Sequence, residues 1–412
     1  MYQYNVIKSK RLPLNLKVSL LLLLVFTFNS DLNSINLIWW GTVAVYSIFC
    51  IANILKSHYI KINAYIIWLM VFNLWGLLSY FWSINEFFTL NQLKTSAKDF
   101  VLLMLLSLII KTREDIFDIL KLIVIATVIT VIYILFTIDI SLIGEVAIGR
   151  GALGEGWNAN AIGLIASLSV LSCFAFLKQN NKKFYKVFYI LTILLLTYIC
   201  LFTGSRKTLF ILLIGVSLFF LFTSKNKKIV IFCIVSFSVL LSYYIIMSVP
   251  VLYNVLGIRL EGFFAQITGQ GLIDSSTLKR MKMIEYGIEW FKENPIFGYG
   301  FNTYRALYFA VSNVSTYSHN NYIELLVNVG IIGTAIYYFM YFIIIRSLLS
   351  YFKKKDSLII LFLISSLLIT VLDYVAVSYN LFIFQLFICL AYSAINTYEG
   401  KENIDENNKK TF

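Results

Sequence analysis

Long apolar segments separated by short polar loops run through the chain. Twelve of them approach or reach the roughly 20 residues that a helix needs to cross a bilayer. They lie at about 14–29, 36–55, 62–82, 92–110, 116–138, 159–177, 184–202, 207–223, 229–248, 321–345, 357–372 and 376–395. None of the three prolines falls inside a segment, as uninterrupted helices require. The pattern predicts an all-α polytopic membrane protein with about twelve transmembrane helices.

One polar stretch, residues 249–320, is too long to be a simple connection. Within it, Leu278–Glu293 has the spacing of an amphipathic helix. Its predicted apolar face consists of Met281, Ile284, Ile288 and Phe291. Asn294-Pro295 should end this helix, and Gly298-Tyr299-Gly300 should form a tight turn.

These elements divide the chain into four predicted parts. They are an N-terminal transmembrane bundle (1–248), an extracytoplasmic loop domain (249–320), C-terminal transmembrane helices (321–396) and a polar cytoplasmic tail (397–412). The end of the tail, Gly400–Phe412, is polar enough to predict disorder.

Composition agrees with a membrane protein. Hydrophobic residues make up 59% of the chain and charged residues only 13%, about half the charged fraction of soluble proteins. Lys and Arg (34) exceed Asp and Glu (21), but they cluster between apolar segments without interleaved aromatics. This distribution argues against a nucleic-acid surface.

The basic residues also predict an orientation, because Lys and Arg favour cytoplasmic loops. With the N-terminus inside, the even-numbered loops are basic and hold Lys56, Lys61, Lys111, Arg113, Lys178, Lys182, Lys183, Lys186, Lys225, Lys227, Lys228, Arg346, Lys353, Lys354 and Lys355. Lys94, Lys98 and the loop after the seventh segment depart from the trend. Both termini are then cytoplasmic, and loop 249–320 is extracytoplasmic.

Arg206 is the first candidate for chemistry. It follows Gly204-Ser205 at the start of the eighth segment, where Ser205 or Thr203 can cap the helix. A guanidinium beside a helix N-terminus suits a phosphate or pyrophosphate. A side chain that merely anchors the helix at the membrane interface is the alternative.

Two more arginines lie on the predicted outer side. Arg280 belongs to the loop helix, where a basic residue is by itself ordinary. Arg150 lies between Gly149 and Gly151, and flanking glycines permit a ligand to approach the backbone closely. A flexible surface turn explains Arg150 equally well.

His319 lies where the long loop meets the tenth segment. If Ser318 caps that helix, His319 occupies its first turn, and the helix dipole keeps the imidazole neutral and able to accept a proton. A structural hydrogen bond is the alternative role.

Candidate sugar-binding residues near the outer face are Tyr317, Tyr304, Trp157 and Asn320. Aromatic residues also populate membrane interfaces without any ligand.

Other chemistries find no support in the sequence. The five cysteines lie in apolar segments without CxxC spacing or a histidine partner, so no metal site is predicted. The sequence has no Walker loop and no DxD-like carboxylate cluster. No cofactor is predicted, and the reaction energy must come with the substrate.

In their order along the chain, these residues resemble the O-antigen ligase / O-antigen polymerase superfamily. Gly204-Ser205-Arg206 matches a Gly-Ser-Arg element that opens a membrane helix in that family. Arg280 precedes Asn294-Pro295-Ile296-Phe297-Gly298-Tyr299-Gly300, which matches its NPxxGxG segment. His319 to Gly333 matches HNxxLExLxxxGIxG, except that Ile323 replaces Leu. Trp82-Ser83-Ile84-Asn85 resembles a further WSx(D/N) stretch.

The resemblance implies a GT-C-like, metal-independent, inverting glycosyltransferase of the bacterial inner membrane. Its donor is a glycan linked to undecaprenyl diphosphate, used on the extracytoplasmic face. Arg206 and Arg280 would hold the pyrophosphate, with Arg150 as a further donor-site candidate, and His319 would be the general base. A chain-length regulator protein is an additional candidate partner.

The family includes polymerases, which join one lipid-linked repeat unit to another, and ligases, which move finished glycan to lipid A-core or a protein. Its motifs do not separate the two. We favour a polymerase because polymerases of this length are common. A non-enzymatic polysaccharide exporter or flippase is a second alternative, but such a protein should line its mid-membrane cavity with charge.

Overall fold

The structure is a computed structural model of the chain. It describes residues 11–29, 36–57, 62–137, 158–179, 182–224, 241, 243–250, 253, 257–258, 261–262 and 275–410. Most of the ninth predicted segment, 229–248, lies outside the described residues.

The described ranges form a helical bundle. Its principal helices are α1 (Leu14–Phe28), α2 (Asn36–Ser57), α3 (Ala64–Leu78), α4 (Glu86–Ile109), α5 (Arg113–Thr137), α6 (Ala159–Gln179), α7 (Lys183–Phe202), α8 (Arg206–Thr223), α9 (Ser275–Glu293), α10 (Tyr304–Ser312), α11 (Asn321–Tyr351), α12 (Ser357–Leu372) and α13 (Phe382–Lys410). The helix α3 ends in a 3-10 turn, Ser79–Trp82, and α8 contains a π-helical turn, Ile211–Gly215.

Among the described residues, seven helices are long and apolar enough to cross a membrane: α2, α3, α5, α6, α7, α8 and α11. The helices α1 and α12 are apolar but shorter. The prediction of a polytopic α-helical membrane protein is therefore confirmed, whereas the full count of twelve spans stays a prediction.

The centre of the bundle is built around α12. Residues Leu358–Ile364 are each at most 1% exposed, and α12 packs against α6, α11 and α13. A helix that is apolar on all sides is stable only when neighbours surround it. The helices α2 and α7 instead carry exposed side chains such as Ile48, Leu191 and Leu194 on their outer faces. These apolar faces suit contact with lipid.

Several contacts join segments that the predicted topology places on the same side of the membrane. Two ion pairs join helix ends predicted to be cytoplasmic: Arg113 with Asp356, and Lys17 with Asp118, each 2.5 Å from N to O. Between loops predicted for the opposite side, the amide N of Ile84 donates to the carbonyl O of Tyr299 at 3.0 Å.

The predicted loop helix is present as α9, but only part of its predicted apolar face packs inward, through Phe291. Met281 and Ile288 are 40% and 39% exposed, whereas Met283 and Trp290 are buried. The helix packs against α11 through Gly287, where an added Cβ would collide with the Ile323 side chain. A glycine contact carries no hydrophobic signal, so apolar spacing misplaced part of the buried face.

The predicted disorder of Gly400–Phe412 is also wrong over most of its length, because α13 continues to Lys410. A polar composition by itself therefore did not predict the local structure of this segment.

Candidate functional site

The helix α11 is broken at Gly330, and the loop after α9 docks into the break. Gly330 has φ 66° and ψ −172°, which interrupts the helical hydrogen bonding. Three backbone hydrogen bonds then join the two segments, each 2.9 Å long: Tyr299 N to Val327 O, Gly300 N to Asn328 O, and Ile331 N to Pro295 O. The two motifs at 294–300 and 319–333 are therefore each other's binding partners.

Two glycines allow the two backbone segments to approach closely enough for these hydrogen bonds. Gly298 has φ 70°, and a Cβ on it would lie 2.6 Å from both Gly330 N and Val327 O. A Cβ on Gly330 would lie 2.7 Å from Phe297 N and nearer still to the carbonyl of Ile296. Both positions combine a left-handed backbone with backbone neighbours that have little freedom to move.

The segment that joins α3 to α4 holds the same loop from its other side. The hydroxyl of Thr89 donates to the carbonyl of Phe301 at 2.9 Å, and the amide of Phe301 donates to Ser79 Oγ at 3.0 Å. Trp82 Nε1 donates to the carbonyl of Phe297 at 3.3 Å. The Trp82-Ser83 stretch, noted for its resemblance, thus supports the docked loop.

Tyr304 has a structural role that contradicts its prediction as a sugar-stacking residue. It is fully buried, and its hydroxyl donates to the carbonyl of Met283 at 2.6 Å. Its ring packs on Trp290, with the ring centroids 5.4 Å apart. No face of this ring is left for a ligand.

His319 is half-exposed between two buried neighbours, Ser318 and Asn320. Its φ of 58° places it in the left-handed region, outside the helix. The helix cap is Asn320, whose Oδ1 accepts from Ile323 N at 3.1 Å. The prediction that Ser318 caps α11 and that His319 lies in the first turn is therefore wrong. The side chain of Asn320 caps the helix and is 3% exposed, so Asn320 does not offer a sugar-binding surface either.

A buried carboxylate fixes the backbone beside His319. Glu324 is fully buried, and its Oε2 accepts from Ser318 N at 2.7 Å. Asn328 Nδ2 donates to Glu324 Oε1 at 3.4 Å, and the charge of Arg305 also acts on the carboxylate. The sequence offered no periodic signal for this role, although Glu324 belongs to the motif of the resemblance.

The loop that follows α12 anchors the other side of the helix start. Asn321 N donates to the carbonyl of Asp373 at 2.7 Å, and Tyr379 N donates to Asn321 Oδ1 at 3.2 Å. The hydroxyl of Tyr338 donates to Asp373 Oδ2 at 2.7 Å. Burial raises the pKa of the Asp373 carboxyl from 3.8 to about 7.

That raised pKa makes a stability prediction for Asp373→Asn. The folded protein holds this proton more tightly than the unfolded chain, so the free energy of unfolding falls as pH rises from 3.8 to about 7. Asparagine keeps an acceptor for Tyr338 and never ionises. We expect the variant to gain a few degrees in Tm over wild type at about pH 8, and less at about pH 5. A Tm difference that is equal at both pH values would contradict this prediction.

Arg206 and Arg280 are brought together with Lys207 at the start of α8. Arg206 and Lys207 are the first two residues of that helix, and both are half-buried. The charges of Arg280 and Arg206 both act on the Lys207 side chain, so three basic residues lie in one region. Lys207 was not assigned a role from sequence, since a lysine beside a membrane helix is common.

The local structure at Arg206 differs in one detail from its prediction. Ser205 occupies the N-cap position but makes no capping hydrogen bond from its side chain. Its Oγ instead bonds Asn160 Oδ1 at 3.0 Å, which ties this helix start to α6. Arg150 and Trp157 lie outside the described residues.

Tyr317 lies against the His319 ring, with the ring centroids 4.3 Å apart. The guanidinium carbon of Arg305 lies 5.8 Å from the centre of the Tyr317 ring. Sequence reasoning did not single out Arg305, because an arginine in a short polar helix has no distinguishing pattern.

Comparison with known proteins agrees with the resemblance. Residues 190–338 match the family described as O-Antigen ligase. No curated protein matches the chain. The matched range runs from within α7 into α11 and contains Arg206, Arg280, the docked loop and His319. Residues 190–338 are thus similar to the O-antigen ligase family, which supports the resemblance to the O-antigen ligase / O-antigen polymerase superfamily.

Proposed function

We propose that the protein is a polysaccharide polymerase of the bacterial inner membrane. It transfers a glycan from undecaprenyl diphosphate to a sugar hydroxyl of another lipid-linked repeat unit, on the extracytoplasmic face. The observation that carries the proposal is the gathering of Arg206, Lys207 and Arg280 within the range that matches the O-antigen ligase family.

The two arginines suit a diphosphate leaving group. Arg206 and Arg280 offer planar guanidinium groups that bind phosphate oxygens in pairs. Negative charge grows on the diphosphate as the bond to the anomeric carbon breaks, and fixed cations stabilise that charge more in the transition state than in the substrate. Arg150 is retained as a further donor-site candidate.

His319 is the proposed general base. Its imidazole takes the proton of the acceptor hydroxyl as the hydroxyl oxygen bonds to the anomeric carbon, and the lipid diphosphate leaves with the bonding electron pair. A single displacement of this kind inverts the anomeric configuration. The hydrogen bonds at Ser318, Asn320 and Glu324 support this role because they hold the backbone on both sides of His319.

Ligation is the second candidate function, since the matched family is described as O-Antigen ligase. In that case the donor site and the base keep the same roles. Only the acceptor changes, from a lipid-linked repeat unit to lipid A-core or a protein.

A reconstituted assay tests the donor site. Purified protein in liposomes receives a lipid-diphosphate-linked repeat unit, and products are resolved by length. We expect Arg206→Ala and Arg280→Ala each to lower kcat/KM by roughly 10²–10³-fold, the typical cost of removing one transition-state donor. Lys279→Ala, an exposed position on the same helix as Arg280, is the matched control and should stay near wild type.

The products decide among the functions. A ladder of lengthened lipid-linked glycans from wild type establishes the polymerase. Consumption of donor only when lipid A-core or a protein acceptor is added establishes the ligase. Donor that stays intact with every acceptor, yet crosses the bilayer, would refute the enzyme and favour the exporter.

A further inference from the structure

Arg305 lies beside the candidate base without belonging to any motif that identified the site. It is the second residue of α10, and its guanidinium lies over the ring of Tyr317 at 5.8 Å. That ring in turn contacts the ring of His319 at 4.3 Å. Arg305, Tyr317 and His319 therefore form a continuous row of side-chain contacts just before the start of α11.

The same guanidinium also acts electrostatically on a buried acidic side chain, Glu324. Glu324 Oε2 accepts from the amide of Ser318 at 2.7 Å. A fully buried carboxylate needs compensating charge or hydrogen bonds, and Arg305 contributes charge. One cation thus supports His319 through two routes, the Tyr317 ring and the Glu324–Ser318 hydrogen bond.

The environment of Arg305 is not one that would be expected if the residue served only to stabilise the fold. Its Nε is buried and has no hydrogen-bond partner within the described protein, and an unpaired buried polar group is destabilising. Residues that leave a buried polar group unpaired tend to have a functional role.

We propose that Arg305 is a positioning residue for His319. The guanidinium holds the Tyr317 ring against the imidazole and stabilises the carboxylate that fixes Ser318. The base is then presented in one orientation toward the acceptor. The kinetic part of this inference rests on the proposed function, whereas the orientation of His319 is testable without it.

Chemical labelling measures the orientation directly. The chain has two histidines, His58 and His319, so reaction with diethyl pyrocarbonate is resolved by peptide mass spectrometry. We expect Arg305→Gln and Tyr317→Leu to raise the labelling rate of His319 several-fold relative to His58. Tyr317→Phe keeps the ring and should keep the wild-type labelling rate. Unchanged labelling in both Arg305→Gln and Tyr317→Leu would overturn the proposal.

Kinetics then separate positioning from general destabilisation. In the liposome assay, Arg305→Gln should lower kcat by roughly 10²-fold with little change in the KM for donor, because displaced catalytic groups cost about that much. Arg305→Lys keeps the charge and should recover part of the loss. Arg346→Gln, an exposed arginine of α11, is the control with wild-type kinetics. A loss of activity in Arg305→Gln that only parallels a loss of folded protein, with unchanged labelling in the folded fraction, would overturn the positioning role.

Discussion

Replacing His319 with asparagine is expected to lower the transfer rate by roughly 10²–10⁴-fold, the range for a lost general base. Asparagine is the informative choice because His319 has a left-handed backbone, with φ 58°, and asparagine tolerates that conformation well. Alanine at the same position adds about 1–2 kcal/mol of backbone strain, which mixes a chemical loss with a structural one. The measurement is kcat in the liposome assay together with Tm in detergent.

His58→Asn is the matched control for this experiment, because His58 is the only other histidine. It should retain wild-type turnover. If His319→Asn retained more than about a tenth of wild-type turnover at unchanged Tm, general base catalysis by His319 would be excluded.

The largest expected effect on stability comes from Gly330→Ala. The φ of 66° and ψ of −172° lie in a region that only glycine adopts at low cost, so alanine there carries about 1–3 kcal/mol of strain. The added Cβ also meets the backbone of Ile296 and Phe297, which forces the docked loop away from α11. We expect a total loss of several kcal/mol, seen as a lower Tm and poor recovery of folded protein.

Gly41→Ala provides the opposite case. Nothing lies within 4 Å of a Cβ at Gly41, which sits in α2. Alanine in a helix interior is favoured over glycine by about 1 kcal/mol, so this variant should be as stable as wild type or more so. Equal Tm values for the Gly330 and Gly41 variants would mean that the docked loop contributes nothing to stability.

The lengths of the apolar segments predicted the helices of the bundle well, because a membrane requires long apolar segments and polar connections. They did not predict the break in α11, since the residues around Gly330 are apolar on both sides. The break depends on backbone groups of 294–300, which are distant in sequence. The local sequence around Gly330 contains no information about a partner that is so distant along the chain.

The residues of the candidate site show the same contrast: some were identified from the sequence and others only from the fold. Arg206, Arg280 and His319 were identified from the sequence through their positions beside predicted membrane segments and their match to the family motifs. Arg305 and Glu324 depend on their neighbours for their roles, and these neighbours became known only from the fold. Tyr304 was misassigned because an aromatic side chain in a polar loop looks exposed until its packing on Trp290 is seen.

The attachment of the loop to α11 relies on main-chain atoms, which every amino acid possesses. The side chains of Ile296 and Phe297, each 51% exposed, take no part in the three hydrogen bonds at the Gly330 break. A substitution at Ile296 therefore leaves these three hydrogen bonds available. The register of the two segments depends on the glycines that allow the close approach, and not on the identity of that side chain.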